Sequence, residues 1–489
     1  LLATHSRGET AGWPVCCGEC VARRTRRVEV TSPRLLNVTA RATFIRLAST
    51  GVRPTLRPAS TGSAPMSAFI RNSKFRHVYV EPPKQEDTFR NLRLATTTGE
   101  QQYVKANTKY FAVALQGGGG PIAVVDHTAT GAFPTGGPVL AGHKGAALDF
   151  DFHPFNEQLL ASCSDDSTVK LWGIPPGGLT ETLTEPLVDL RGHGRKVTLL
   201  RFHPTASNVL ASVSADMLCK VWDVEKQGEV ASTDAHTSLI QDVQWNADGS
   251  LLGTSCKDKV VRLFDPRGSA VATELRAAHE GSKSVKLAFL QDGLLATVGF
   301  TRQSQRQIKI WDARDPSKEL ALVSLDQAAG VLLPFFDPDT KMLYLCGKGD
   351  GNIRYYEINK AAKTPCFALS EHRSTAAGKG YCFLPKRCLD VMSCETARCL
   401  KLTSQNGNGV VEPLSFVVPR KSDAFQDDIF PDCYAGLPSC DADAWLAGAN
   451  EPPKLRPLNP DAGFVAAPSA AAFVAKKTAA QLEVELADA

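Results

Sequence analysis

LLASCSDDSTVKLWGI (159–174) and VLASVSADMLCKVWDV (209–224) share one pattern: an apolar run, a polar turn holding an aspartate, and a second apolar run ending on tryptophan. The pattern returns as LLGTSCKDKVVRLFDP (251–266), LLATVGFTRQSQRQIKIWDA (294–313) and LYLCGKGDGNIRYYEI (343–358). The terminal aromatics Trp172, Trp222, Phe264, Trp311 and Tyr356 follow one another at 50, 42, 47 and 45 residues. Upstream of four of them a small residue precedes a histidine, as Gly142-His143, Gly192-His193, Ala235-His236 and Ala278-His279. Each histidine stands 28 to 32 residues before its aromatic. Asp166, Asp216, Asp258 and Asp350 each lie six residues before theirs, and Gln305 takes that place in the fourth segment. Self-similarity at such a period signals a repeat architecture.

Within one repeat the runs read as strands. ALDFDFH alternates, LLASCS follows, Asp165-Asp166 makes a turn, and TVKLWGI supplies a third strand. An outer strand is expected beyond the Pro175-Pro176-Gly177-Gly178 turn. These landmarks resemble the WD-repeat family, in which each repeat is a four-stranded blade of a β-propeller. The resemblance implies that aspartate and histidine of one blade hydrogen-bond and that the tryptophan indole joins them. The structural network is thus expected at His143, Asp166, Trp172, His193, Asp216, Trp222, His236, Asp258, His279, Trp311 and Asp350. A constellation that recurs blade after blade is not a catalytic site, which occurs once. With Gln305 at the aspartate position, His279 must find another partner.

Two further blades bring the expected count to seven. YFAVALQGGGGPIAVVD (110–126) reads as a hairpin across a glycine turn, and Cys366 to Val418 holds four strand-like runs without landmarks. An open sheet edge invites aggregation, so the alternating KFRHVYV (74–80) is expected to close the ring against the last blade.

Charge and cysteine usage narrow the function classes. Residues 1–65 carry ten arginines, no lysine and three glutamates, a net of +7. The totals of 55 basic and 51 acidic residues then leave 45 and 48 for 66–489, a net of −3. A nucleic-acid reader concentrates positive charge on its folded body, so nucleic acid is not the expected partner. Residues 1–65 show no periodicity and are read as a disordered or upstream segment outside the fold, from 66 onward. No run reaches the ~18 apolar residues of a membrane span. Of the fourteen cysteines, Cys163, Cys219, Cys256 and Cys346 sit in apolar runs, as small buried hydrophobes do. The lone Cys17–Cys20 pair lacks the further ligands a zinc site needs. Neither metal nor other cofactor is expected, and a reducing compartment fits. Gly117–Gly120 lacks the Lys-Ser/Thr of a phosphate-binding loop, and Gly347-Lys348-Gly349 precedes a strand rather than a helix.

SKFRHVYVEPP (73–83), HEGSKSVKLAFLQDGLLATVGFTRQSQRQIKIWD (279–312), PFFDPDTKMLYLCGKGDGNIRYYEI (334–358) and PRKSDAFQDDIFPD (419–432) narrow the resemblance. The chain is similar to the coronin family from Ser67 to about Pro460. That implies an all-β, seven-bladed propeller over 66–418 and a C-terminal extension, 419–460, packed on it. A linker (461–472) and a short helix or truncated coiled coil (473–489) follow. Leu482 and Leu486 stand four apart, but the segment spans about two heptads where a stable coil needs three or four.

The resemblance also implies a non-catalytic, cytoplasmic protein of the cortical cytoskeleton that binds actin filaments and governs their turnover. Further implied partners are the actin-related-protein nucleating complex and cofilin-type severing factors. The family's filament-contacting arginine aligns on Arg93 in FRNLRLATTTG (89–99). Other basic candidates are Arg90, Arg195, Lys196, Lys257, Lys259, Arg302 and Arg306. A generic WD scaffold and a propeller enzyme are the rival readings. The first predicts no filament binding, and the second requires an acid/base cluster in the central channel.

Overall fold

The computed structural model describes residues 73–97, 99, 101–268, 271–463 and 473–478. Antiparallel meanders make up seven blades among the described residues, with one parallel strand pair, Phe89 and Arg90 against Gly131 and Ala132. Blade 2 shows the unit: Ala147–Phe152, Leu159–Ser164, Thr168–Gly173 and Val188–Arg191 pair in chain order. Successive strands reverse direction. One face of the ring therefore carries the loops that enter each blade's first strand, together with the second-to-third-strand turns. This is the entry face. The opposite face carries the remaining turns. First strands of neighbouring blades pack side by side around the axis.

Burial explains why the strands form where they do. The second strands Leu159–Ser164, Val209–Ser214 and Met342–Gly347 are buried along their whole length. Outer strands such as Gly228–Thr233 and Ala321–Gln327 alternate toward solvent. Around the axis, buried Lys105 lies 3.3 Å from Asp149 and 3.5 Å from Asp151, and Arg201 Nη1 lies 3.2 Å from Asp149. Buried charges persist when paired in this way. Cys163, Cys219, Cys256 and Cys346 are free and buried.

Three local expectations need correction. Blade 1 has three strands, Val104–Ala106, Tyr110–Ala114 and Ile122–Asp126, and a single bridge from Leu140 to Ile122 replaces the fourth. The run Cys366–His372 is the outer strand of blade 6, so blade 7 takes three strands from 378–417. Only Tyr79 and Val80 of the run 74–80 pair with the last blade, and the main closing strand falls later. Phe89–Leu92 is the fourth strand of blade 7, pairing Phe89 with Val411 and Leu92 with Gly409. Tyr79–Glu81 pairs farther along the same strand, while residues 74–77 form turns.

The extension covers the face opposite the entry face. Trp445, on the helix Ala442–Leu446, is fully buried against His203 and Trp245, with ring centroids at 5.0 and 5.8 Å. Its indole N–H donates to Gly249 O at 3.2 Å. Gly249 has φ +70, and a Cβ there would stand 1.9 Å from the His203 ring, so glycine is required. Ile429 and Phe430 are buried beside Phe75, Val78 and Val418. Residues 473–478 are not helical as expected. Phe473 and Ala475 pack near Leu159 and Trp222, and Lys476 N donates to Glu225 O at 2.8 Å. Leu482 and Leu486 lie outside the described residues, as do residues 1–65.

Candidate functional site

The repeated polar residues form hydrogen-bonded chains within the blades, and these differ from blade to blade. In blade 2 the Trp172 indole donates to Ser162 Oγ (2.8 Å), the serine donates to His143 Nε2 (2.7 Å), and His143 Nδ1–H donates to Asp166 (3.0 Å). Asp166 also accepts from Lys144 N, Thr168 N and the Thr168 hydroxyl. Burial opposes its charge, but these bonds outweigh it and hold the carboxyl down at about 2. Burial lowers the pKa of His143. Blade 3 repeats the chain through Trp222, Ser212, His193 and Asp216.

Blade 5 reverses the imidazole. Gln307 Nε2 donates to His279 Nδ1 at 3.0 Å, so the ring proton sits on Nε2 and goes to Thr297 at 2.9 Å, where Trp311 also donates. Gln307, not Gln305, is the partner that His279 finds.

Two aspartates depart from the expected pairing. In blade 4 His236 Nε2 meets Thr254 at 2.8 Å, but its Nδ1 is buried without a partner. Asp258 instead accepts from Arg262, Thr237 and Val260 N, because the Arg262 guanidinium reaches it first. In blade 6 Asp350 meets Arg306 at 2.6 Å. Arg306 is therefore a correction as a surface candidate. Its side chain is 1% exposed and also holds Asp326 at 2.6 Å.

The remaining basic candidates sort by exposure and by partner. Arg93, Arg195 and Lys257 are exposed on the entry face, and among the described residues no carboxylate pairs with them. Lys196 lies 3.5 Å from Asp165 and Arg302 3.1 Å from Glu280, both on this face. Lys259 is exposed and donates to Glu280 O at 2.8 Å. Arg90 is half-buried within the outer strand Phe89–Leu92, its Nε unpartnered.

Sequence reading missed several neighbours. Lys144, Arg373 and Lys379 are exposed on the same face, and Arg373 is paired with Glu371. Met217 and Leu239, 40% and 44% exposed, flank the basic loops with apolar surface. The loop after Arg93 is held from blade 6: Lys348 Nζ donates to Gly99 O at 2.6 Å and lies 4.3 Å from the Tyr103 ring centre. The Tyr103 hydroxyl donates to Thr97 O and accepts from Gly99 N, each at 2.9 Å. Nothing local in the sequence announces that clamp.

Comparison with known proteins gives the chain a family. Residues 137–173, 184–223 and 228–265 match the WD domain, G-beta repeat, and 411–453 match a type of WD40 repeat. Residues 68–132 match a domain of unknown function (DUF1899). Coronin-A of Dictyostelium discoideum is 47% identical over 409 residues, which cover 83% of this chain and 90% of that protein. The chain belongs to the coronin family. The WD40 domain of Toxoplasma gondii coronin matches this coronin-family chain with TM-score 0.74 at 34% identity, over 79% of this chain and 98% of that one. A chain of the mitotic checkpoint complex shares the fold at TM-score 0.51 and 16% identity, over 72% and 96%. The coronin-type match spans the propeller, so the expected all-β architecture holds for this chain.

Proposed function

We propose that this coronin-family protein binds actin filaments through its entry face and governs filament organisation and turnover at the cell cortex, as a scaffold without catalysis. The observation that carries this reading is Arg93, exposed on the open face with no carboxylate partner among the described residues. Arg195 and Lys257 share that condition, and the extension occupies the other face. A basic patch meeting an acidic filament gains steering and register from complementary charge. The nucleating complex and cofilin-type severing factors are the further partners that this reading implies. Co-sedimentation of the full chain with filaments over a salt series tests it. Binding that weakens as salt rises is the expected result, and a chain left in the supernatant at low salt refutes it.

A further inference from the structure

The face opposite Arg93 holds a cavity that the filament reading does not use. First-to-second-strand turns of several blades converge there on the channel mouth, and the extension roofs them. The space between measures about 780 Å³, within the range of small-ligand sites. Its walls are apolar, with Phe336, Phe383 and Pro338 from the blades and Tyr434, Pro453 and Leu455 from the extension.

Two carboxylates reach this cavity from one turn, and among the described residues only Asp337 has protein partners. Asp337 pairs with Lys386 at 2.5 Å and accepts from the Thr340 hydroxyl at 2.5 Å and from Asp339 N at 3.2 Å. Asp339 lines the same wall, yet among the described residues no hydrogen bond or ion pair reaches its carboxyl. Burial first, then the neighbouring Asp337, push its pKa up to about 7. Of the two lysines in the wall, Lys386 is held by Asp337 and Lys341 is exposed, while Asp432 adds a further acid at the rim. Asp339 is half-buried, and a carboxylate drawn partly out of water beside apolar walls favours a cation over an alkyl group.

We propose that this cavity binds an amphipathic cation: an apolar alkyl or aryl body against Phe336, Phe383 and Tyr434, with an ammonium or guanidinium head on Asp339. A free amine and a lysine or arginine side chain of a partner peptide share this chemistry.

Calorimetric titration of the full chain with phenethylammonium, phenethyl alcohol and 3-phenylpropanoate tests the site. The cation should bind about tenfold tighter than the alcohol, as a charge-assisted contact allows, and the carboxylate most weakly. Asp339→Asn should remove the cation's advantage and leave the weak alcohol binding. Equal binding of the three probes, no binding of any, or an advantage unchanged in Asp339→Asn overturns the proposal.

Should that variant fail to fold, pH decides with the parent chain. Asp339 faces Asp337 on its own turn, Lys386 from blade 7 and Cys433 from the extension, with Arg387 and Arg456 beside Cys433. Burial holds the Cys433 thiol up at about 11. From about pH 8 to about pH 5 Asp339 gains a proton, so the cation's advantage over the alcohol should shrink. An advantage that persists unchanged overturns the site. Competition by the capped peptide acetyl-Pro-Leu-Lys-Pro-amide against phenethylammonium supports the site with a protein side chain as ligand. Binding of phenethylammonium without competition supports it with a free amine.

Discussion

Arg306 Nη1 lies 2.6 Å from Asp350 Oδ2, and the same guanidinium grips Asp326 through Nε and Nη2 at 2.6 and 2.7 Å. Arg306 and Asp326 belong to the third and outer strands of blade 5, and Asp350 to a turn of blade 6. One side chain thus ties two blades. Arg306→Met should leave Asp350 without its cation and Asp326 with Arg354 alone, lowering unfolding free energy by about 3 kcal/mol. Arg306→Lys should rescue little, since a point ammonium does not span both carboxylates. Urea unfolding measures both, and a parent-like midpoint for Arg306→Met would show the strut to be idle.

The unequal polar networks predict unequal sensitivity. His143→Ala removes one of the four donors to Asp166 and leaves the buried Ser162 hydroxyl without its acceptor, and should cost about 2–3 kcal/mol. His236 makes one hydrogen bond and hides an unpartnered Nδ1, so His236→Ala should cost at least ~1 kcal/mol less. Equal losses in denaturant would contradict the geometry.

Trp445 joins the extension to blades 3 and 4. Trp445→Ala removes a fully buried indole and its bond to Gly249 O, and should destabilise the chain by about 3–5 kcal/mol. Deleting everything from Arg420 onward should cost more, because Ile429 and Phe430 leave the core with it. Differential scanning of both variants gives the comparison, and a truncated chain that melts like the parent refutes the packing.

Acid should unfold the protein through its histidines. Burial lowers His153, His203, His236 and His279 to about 4, from an ordinary 6.5. A lowered imidazole pKa contributes stability above 6.5 that is lost as pH falls toward 4, because the unfolded chain binds more protons there. Asp339 has the opposite sign. Its carboxyl, raised to about 7 from 3.8, contributes stability at low pH that is lost as pH rises through 7. Stability should therefore rise between about pH 4 and pH 6.5, and more steeply in Asp339→Asn than in the parent. Unfolding free energies at several pH values check this, and identical slopes would count against the Asp339 environment.

Arg93→Asp should weaken filament co-sedimentation at low salt with stability changed by under about 0.5 kcal/mol. Lys348→Met should weaken binding less and keep the fold, because it frees the loop that follows Arg93 without removing the contact charge. If Arg93→Asp sediments like the parent, Arg195 and Lys257 become the contact to examine.

Much of this was legible in the chain. Spacing between Trp172, Trp222, Phe264, Trp311 and Tyr356 announced the blades, because strand pairing within a blade is local and each repeat rewrites the same hydrogen-bond requirement. The His143 and His193 networks were readable for the same reason, since all their members lie within one repeat. The run 74–80 pairs with the last blade only through Tyr79 and Val80, and the main closing strand was missed because alternation marks faces but not where a strand starts and ends. Phe89 and Leu92 meet Val411 and Gly409 from the far end of the chain.

By itself the sequence determined the repeat, the all-β class, the family resemblance and the separation of a basic first segment from a slightly acidic body. Only the tertiary structure decided which cations are free. Arg306 follows Arg302 by only four residues, yet one is buried on two carboxylates and the other is exposed against Glu280. The physical reason is reach across blades. Asp350, 44 residues further on, comes within hydrogen-bond distance of Arg306 only when blades 5 and 6 pack. Asp258 goes to Arg262 rather than His236 by the same competition for a carboxylate, which spacing along the chain does not record.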